Sequence, residues 1–318
     1  MGVVTNSKLA VIGAGAVGTS VAYASLIRGS AREIALYDVN AAKAEAEVLD
    51  LAHGTQFTGS STVYGGGDIS TVEGANVVVI TAGAKQNPGQ SRLDLASTNV
   101  GILRDIMPAL VERAPDAVFL LVTNPCDILA KAALEFSGLP ANRVFSSGTV
   151  LDSSRLRWML SQRTGVATSS IHAYIVGEHG DSEFPLWSQA RIGPMPVTSW
   201  RDATGTAIPA GELDDIAESV KTAAYTVIAG KGATNYAIGL SGARIVEAIL
   251  SDEGAVLPVS SVLTDFHGVT DIALSVPSVV NSTGVASVLD VEFDDRELEL
   301  FHRSAQALAD ASKALGLG

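Results

Sequence analysis

Apolar and polar positions follow two rhythms in the first half of the chain. Short runs almost free of polar residues, Leu9 to Ile12, Glu33 to Tyr37, Ala75 to Ile80, Ala117 to Val122 and Arg143 to Ser147, have strand length and the composition of strands buried on both faces. Between them, stretches at helical spacing run to about Arg28, from Ala41 to about His53, from Leu93 to Arg113 and from Asp127 to Phe136. Pro108 predicts a kink or a boundary between two helices, and Gly65-Gly66-Gly67-Asp68 reads as a turn. The alternation amounts to a β/α series, which predicts an α/β, doubly wound parallel sheet.

Beyond Gly148 the rhythm changes, so residues 1–148 and 149–318 read as two domains. The second opens with a helix carrying apolar residues at 151, 156, 159 and 160, followed by one continuous strand from Ile171 to Val176. Short strands broken by Gly193, Pro194 and Pro196 come next, then long helices at about 213–228 and 235–250. From Ala255 to Phe293, Val/Leu runs alternate with turns at His267-Gly268 and 281–284, as antiparallel hairpins do. A last helix starts at Asp294, with Glu297 completing a capping box and Leu298, Phe301, Ala305, Leu308 and Leu315 on one face.

Composition narrows the function classes. A chain of 318 residues with 47% hydrophobic and 17% charged positions describes a globular protein with ample core. No apolar run nears the roughly 18 residues of a membrane helix, and the opening octet lacks the regions of a secretory signal. A single cysteine, Cys126, rules out an internal disulfide, and a cytoplasmic location is the expectation. The net charge of −13, with no basic cluster longer than a pair, argues against nucleic acid as a partner. An anionic substrate would need local arginines to overcome that field.

Several residues carry candidate chemistry. Gly13-Ala14-Gly15-Ala16-Val17-Gly18 directly follows an apolar strand and opens a helix, the context in which this glycine pattern accepts a pyrophosphate. Asp38 ends the next strand, twenty residues beyond Gly18, where a carboxylate takes ribose hydroxyls and repels a 2′-phosphate, favouring NAD over NADP. Thr81-Ala82-Gly83-Ala84 ends another strand at the edge where ligands bind, and 85–92 reads as a mobile loop over the cofactor. Asn124 either orients a nicotinamide or substrate oxygen or serves an Asn-Pro turn, while Cys126 reads as a small buried filler. Asp152 and Arg155 share a helix face, as a surface ion pair or as a histidine partner beside a carboxylate clamp. His179, between Gly177 and Gly180 at the end of an apolar run, is the acid/base candidate; His53, His267 and His302 read as capping or packing groups.

Taken together, GAGAVG at 13–18, YD at 37–38, TAGA at 81–84, TNPCD at 123–127, LDSSR at 151–155 and GEHGD at 177–181 resemble the NAD-dependent lactate/malate dehydrogenase family, in its lactate branch, from end to end. The resemblance implies a Rossmann-type domain followed by an α+β substrate domain, in a homotetramer. It implies reversible reduction of pyruvate to L-lactate with His179 as acid/base, Asp152 orienting it, Arg155 on the substrate carboxylate and Arg92 polarising the carbonyl. Asn124 and Thr234 would complete the substrate pocket, and Lys43, Val122 and Ser147 would join Gly13, Gly15, Val17, Gly18, Asp38, Thr81, Gly83, Ala84 and Asn124 around NAD. At Gln86 the malate branch carries an arginine, so a neutral side chain implies pyruvate over oxaloacetate. Arg157 and His172 match positions that bind fructose 1,6-bisphosphate between subunits in many bacterial members. Competing readings are a dehydrogenase of malate or bulkier 2-hydroxy acids, an NAD- and metal-dependent glycosidase, for which no Cys/His metal site is evident, and a non-catalytic dinucleotide-binding protein.

Overall fold

The computed structural model describes residues 6–59, 61–84 and 92–317. The first half runs β1 Lys8–Ile12, α1 Ala16–Arg28, β2 Glu33–Tyr37, α2 Ala41–His53, β3 Thr62–Gly66, β4 Val77–Ile80, α3 Arg92–Arg113, β5 Val118–Leu121, α4 Cys126–Ser137 and β6 Val144–Ser146. These strands form a parallel sheet in the order β3-β2-β1-β4-β5-β6, which reverses direction between β1 and β4. Both faces are buried, as the unbroken apolar runs require. Phe119 and Leu121 point into a core shared with Met107, Leu110 and Phe301, whereas Val118 and Leu120 point into another with Leu9, Phe145 and Ile249.

The second half runs α5 Val150–Thr164, β7 Ile171–His172, β8 Ile175–Val176, β9 Phe184–Pro185, β10 Arg191–Ile192, β11 Met195–Pro196, α6 Ala210–Lys231, α7 Tyr236–Leu250, β12 Ala255–Leu257, β13 Ser260–Val262, β14 Ala273–Ser275, β15 Ser278–Asn281, β16 Gly284–Val288 and α8 Asp295–Ala314. Its strands pair antiparallel, and the β13–β14 hairpin adds itself to β6, extending the first sheet to eight strands. The fold is a Rossmann-type doubly wound sheet followed by an α+β region. The two are joined in one body by that hairpin and by the packing of α7 on α1. The expected capping box is present: Asp294 accepts the Glu297 N–H at 2.8 Å and Glu297 accepts the Asp294 N–H at 3.1 Å.

Three local expectations are corrected. Gly65 and Gly66 are not in a turn; they end β3, the strand that completes the parallel six. A side chain on Gly65 would place its Cβ 1.9 Å from the Leu36 carbonyl oxygen, so close pairing with β2 demands the glycine that looked like a turn signal. Pro108 divides nothing: α3 is one helix of 22 residues with the proline inside it. The run 171–176 is two strands, because β7 pairs with β10 while β8 pairs with β9. In the gap the Ala173 carbonyl is taken by the Arg157 side chain at 2.9 Å.

The α1–α7 contact depends on Gly239, where an added Cβ would lie 2.6 Å from Ser20 Cβ and 2.8 Å from its backbone. Gly239→Ala is therefore expected to destabilise by about 1–3 kcal/mol through overpacking, measured as a lowered denaturant midpoint. Gly101→Ala, inside α3 with open space at the Cβ position, is the control and should stabilise by about 0.5–1 kcal/mol.

Candidate active site

The dinucleotide-type residues lie along the carboxyl ends of the parallel strands, where the order reversal opens a crevice. After β1 the chain turns at Gly13, with φ of 108°, and enters α1, whose N-cap Gly15 has no side-chain cap and open space where a Cβ would be. Gly18 is needed for packing, since a Cβ there would come 1.9 Å from the Gly13 carbonyl oxygen. The Thr81 hydroxyl donates to the Ile12 carbonyl at 3.0 Å, fastening the end of β4 to the glycine turn. Asp38, after β2, accepts the Ala14 N–H at 2.7 Å and the Asn40 N–H at 2.9 Å, which fixes its carboxylate against the same turn. Lys43 lies exposed in the first turn of α2, Val17 in that of α1, and Val122 and Ser147 are buried just past β5 and β6. Uncapped N–H groups, an unfilled glycine cradle and an adjacent carboxylate fit an adenine dinucleotide with free ribose hydroxyls.

Asn99 connects two of these segments and carries no motif of its own. Buried in α3, it accepts the Ala84 N–H at 2.8 Å and donates to the Asn124 carbonyl at 2.8 Å. It thereby sets the spacing between the loops after β4 and β5. Gly83 belongs to the same close contact, since its Cβ would meet Thr123 Cγ2 at 2.4 Å.

Across the crevice, α5 and the segment after β8 converge. Asp152, 1% exposed, accepts from Arg155 at 2.5 Å through one oxygen and from His179 Nδ1 at 2.7 Å through the other. An ionised carboxylate cannot donate, so Nδ1 carries a proton and Nε2 is the ring nitrogen left to exchange one with a ligand. The His179 ring is 26% exposed, at the wall of a cleft of about 410 Å³. Asn124, Ile128, Asp152, Arg155, and Tyr225 and Ile228 of α6 line this cleft.

The electrostatics favour a charged histidine. Burial pulls the imidazole pKa down, but the Asp152 carboxylate outweighs it by charge and hydrogen bond, and with Glu183 and Asp127 behind it the value rises to about 9. Asp152 is held below the usual carboxylate range, the burial penalty being overcome by His179 and Arg155. Glu183, 3.9 Å from His179 Nδ1, is pushed up to about 8 by burial and then by Asp152. Asp152, His179 and Glu183 stand close enough to share an ion, but the Arg155 guanidinium and the Nδ1 proton already occupy the sides a cation would use.

Not every expected residue joins this cleft. Thr234 lies on the connection between α6 and α7, outside the cleft lining. Gln86 falls outside the described residues, and Arg92 is placed only as the first residue of α3. Arg157 stands at a different surface, its guanidinium 4.8 Å over the Tyr174 ring, beside exposed His172. His267 and His302 bond to carbonyls of Val291 and His267 within an aromatic cluster, and Cys126 is buried with its thiol pKa pushed up, first by burial. Of the residues that the sequence did not single out, Asn99 and Ser304 hold the site through contacts distant in the chain, and Glu183 borders it from four residues past His179. Only burial in the folded state could have flagged them.

Comparison with known proteins agrees with this geometry. Residues 7–146 match the pattern of the lactate/malate dehydrogenase NAD binding domain, and residues 149–315 that of the lactate/malate dehydrogenase alpha/beta C-terminal domain. The chain is 50% identical over 311 residues to an L-lactate dehydrogenase of Bifidobacterium animalis subsp. lactis, covering 98% of this chain and 97% of that protein. It is 43% identical over 311 residues to one from Thermoanaerobacter pseudethanolicus, covering 98% of this chain and all of the other. Among solved structures, the minor L-lactate dehydrogenase of Enterococcus mundtii superposes with a TM-score of 0.94 at 41% identity, over 98% of both chains. A lactate dehydrogenase from a Medee basin deep-sea metagenome library gives 0.94 at 36%, over 98% of this chain and 99% of that one. The chain thus belongs to the lactate/malate dehydrogenase family of NAD-dependent oxidoreductases.

Proposed function

We propose that the chain is an L-lactate dehydrogenase that interconverts pyruvate and L-lactate. The observation that carries this reading is Asp152 joining His179 and Arg155 in one cleft beside the dinucleotide crevice. Bound NAD supplies hydride exchange with the substrate's C2 at its nicotinamide ring. Arg155 grips the substrate carboxylate with its planar guanidinium, which sets C2 in place. His179 gives its Nε2 proton to the oxygen that gains charge during reduction and recovers it in the reverse direction. Asp152 keeps the Nδ1 proton in place and stabilises the imidazolium. Arg92, at the start of α3, polarises the carbonyl, Asn124 holds the substrate oxygen, and Thr234 closes the pocket.

Gln86 sets the choice of acid, since its neutral side chain offers a second carboxylate no positive partner at that position. Arg157 and His172 form the fructose 1,6-bisphosphate site, with His172 exposed and Arg157 tethered to Ala173 beside it. Repeated across a two-fold axis, such like-charged groups repel until a phosphate joins them, and the enzyme works as a homotetramer. The chain divides into an NAD-binding domain, 1–148, and a substrate domain, 149–318, with Gln86, Arg92 and Asn124 of the first reaching the substrate. The protein acts in the cytoplasm; no described helix is long and apolar enough to cross a membrane.

Reduction needs the imidazolium, whose folded-state pKa is raised to about 9, so kcat/KM for pyruvate should be flat below that pH and fall above it. Lactate oxidation needs the neutral ring and should rise towards the same pH; steady-state rates in both directions test the pair, and a common slope would sink the assignment of His179. Oxaloacetate should be reduced with a kcat/KM at least about a hundredfold below that of pyruvate, the cost of an unpaired charge. Equal rates would refute the role of Gln86. Fructose 1,6-bisphosphate should lower the apparent KM for pyruvate without being consumed, in an NADH-oxidation assay titrated with the sugar; unchanged kinetics would remove that site.

A further inference from the structure

The segment that carries His179 is held at three points among the described residues. The Gly177 N–H and carbonyl pair with Ser275 of β14 at 2.9 and 3.0 Å, and the Glu178 N–H donates to the Ser304 hydroxyl of α8 at 2.7 Å. The His179 N–H donates to Asp127 Oδ2 of α4 at 2.8 Å, and this is the one charged holder of the three. Asp127 is 2% exposed and lies in the first turn of α4, where the helix dipole favours an anion. A buried carboxylate is a costly way to satisfy one N–H, which a serine does next door at Glu178. We propose that Asp127 is a positioning residue for His179, fixing its main chain while Asp152 fixes its ring, and lending its negative charge to the imidazolium.

The inference rests on the reading of His179 as the acid/base. The ionisable groups facing Asp127 are few. Cys126 precedes it on α4 with Sγ 4.0 Å from Oδ1, and Glu178 and His179 come from the segment after β8. From α5, Asp152 acts on Cys126, and β13 brings the uncharged Ser260 hydroxyl. Burial pushes the Asp127 carboxyl up to about 6, against Ser260 and His179, so it is ionised at neutral pH. The Cys126 thiol, pushed up by burial, stays neutral there. Asp127 therefore stands behind the histidine as a fixed anion, alongside Glu183 at 3.9 Å from Nδ1 and separate from the Asp152–Arg155 pair.

Asp127→Asn keeps an oxygen that can accept the N–H and removes the charge, whereas Ser304→Ala loosens the same segment without changing charge. The test is the pH dependence of kcat/KM for pyruvate reduction in both variants, with NADH binding measured to establish folding. Asp127→Asn should move the alkaline break down by on the order of one pH unit, the effect of losing a buried charge a few ångströms away. Its kcat on the acid side should fall less than about tenfold, and Ser304→Ala should lower kcat with the break left in place. A break in Asp127→Asn at the wild-type pH overturns the proposal, and so does an equal shift in Ser304→Ala, which would trace the shift to segment disorder. Failure of the underlying reading looks different: wild type would show no alkaline break, or His179→Asn would retain wild-type activity.

Discussion

A carboxylate removed from water stays ionised only if nearby groups replace its hydration, and leaving it half paired costs several kcal/mol. Asp152 is such a group, and both of its oxygens are engaged, by Arg155 from its own helix and by His179 from a segment 27 residues on. The start of α5 adds the positive end of its dipole. This shared carboxylate makes geometry and charge state inseparable: the histidine that satisfies it is turned with Nε2 outward and kept protonated. Arg155 beside it offers a cation inside a chain of net charge −13.

That convergence requires the second half of the chain to dock accurately on the first. The β13–β14 hairpin pairs with β6, and Ser275 at its end then bonds the Gly177 backbone, so the sheet edge itself delivers the histidine segment. The Thr149 hydroxyl bonds the Ile175 carbonyl at 2.6 Å, locking the start of α5 to β8. On the far side Gly239 lets α7 reach α1, the helix that opens after the glycine turn. The crevice at the strand ends and the Asp152–His179–Arg155 cluster are thus spaced by the same rigid body.

Helix α5 links chemistry to the surface. Asp152 and Arg155 face inward, while Arg157, two residues on, turns outward to the Ala173 carbonyl and the Tyr174 ring. Ala173 and Tyr174 are the break between β7 and β8, and the chain reaches His179 five residues later. A ligand that drew on Arg157 would pull on the same short segment that sets His179, which gives the proposed bisphosphate site a physical route to the cleft.

The chain's local patterns determined much of this by themselves. The strand, glycine turn and helix at 8–28, the three-residue spacing of Asp152 and Arg155, and the Asp294 capping box depend on neighbours within a turn or two, and the twenty-residue spacing to Asp38 on a single strand–helix–strand unit. Side chains so close in sequence meet whatever the rest of the chain does. The tertiary structure alone decided that Asp127, Asn99 and Ser304 serve the site, because each bonds a segment that docking brings to it from far along the chain. It also turned a glycine turn signal into strand β3 and split 171–176 between two sheets. In both cases the partner strand, absent from any local window, supplied the hydrogen bonds or the steric limit that overrode local preference.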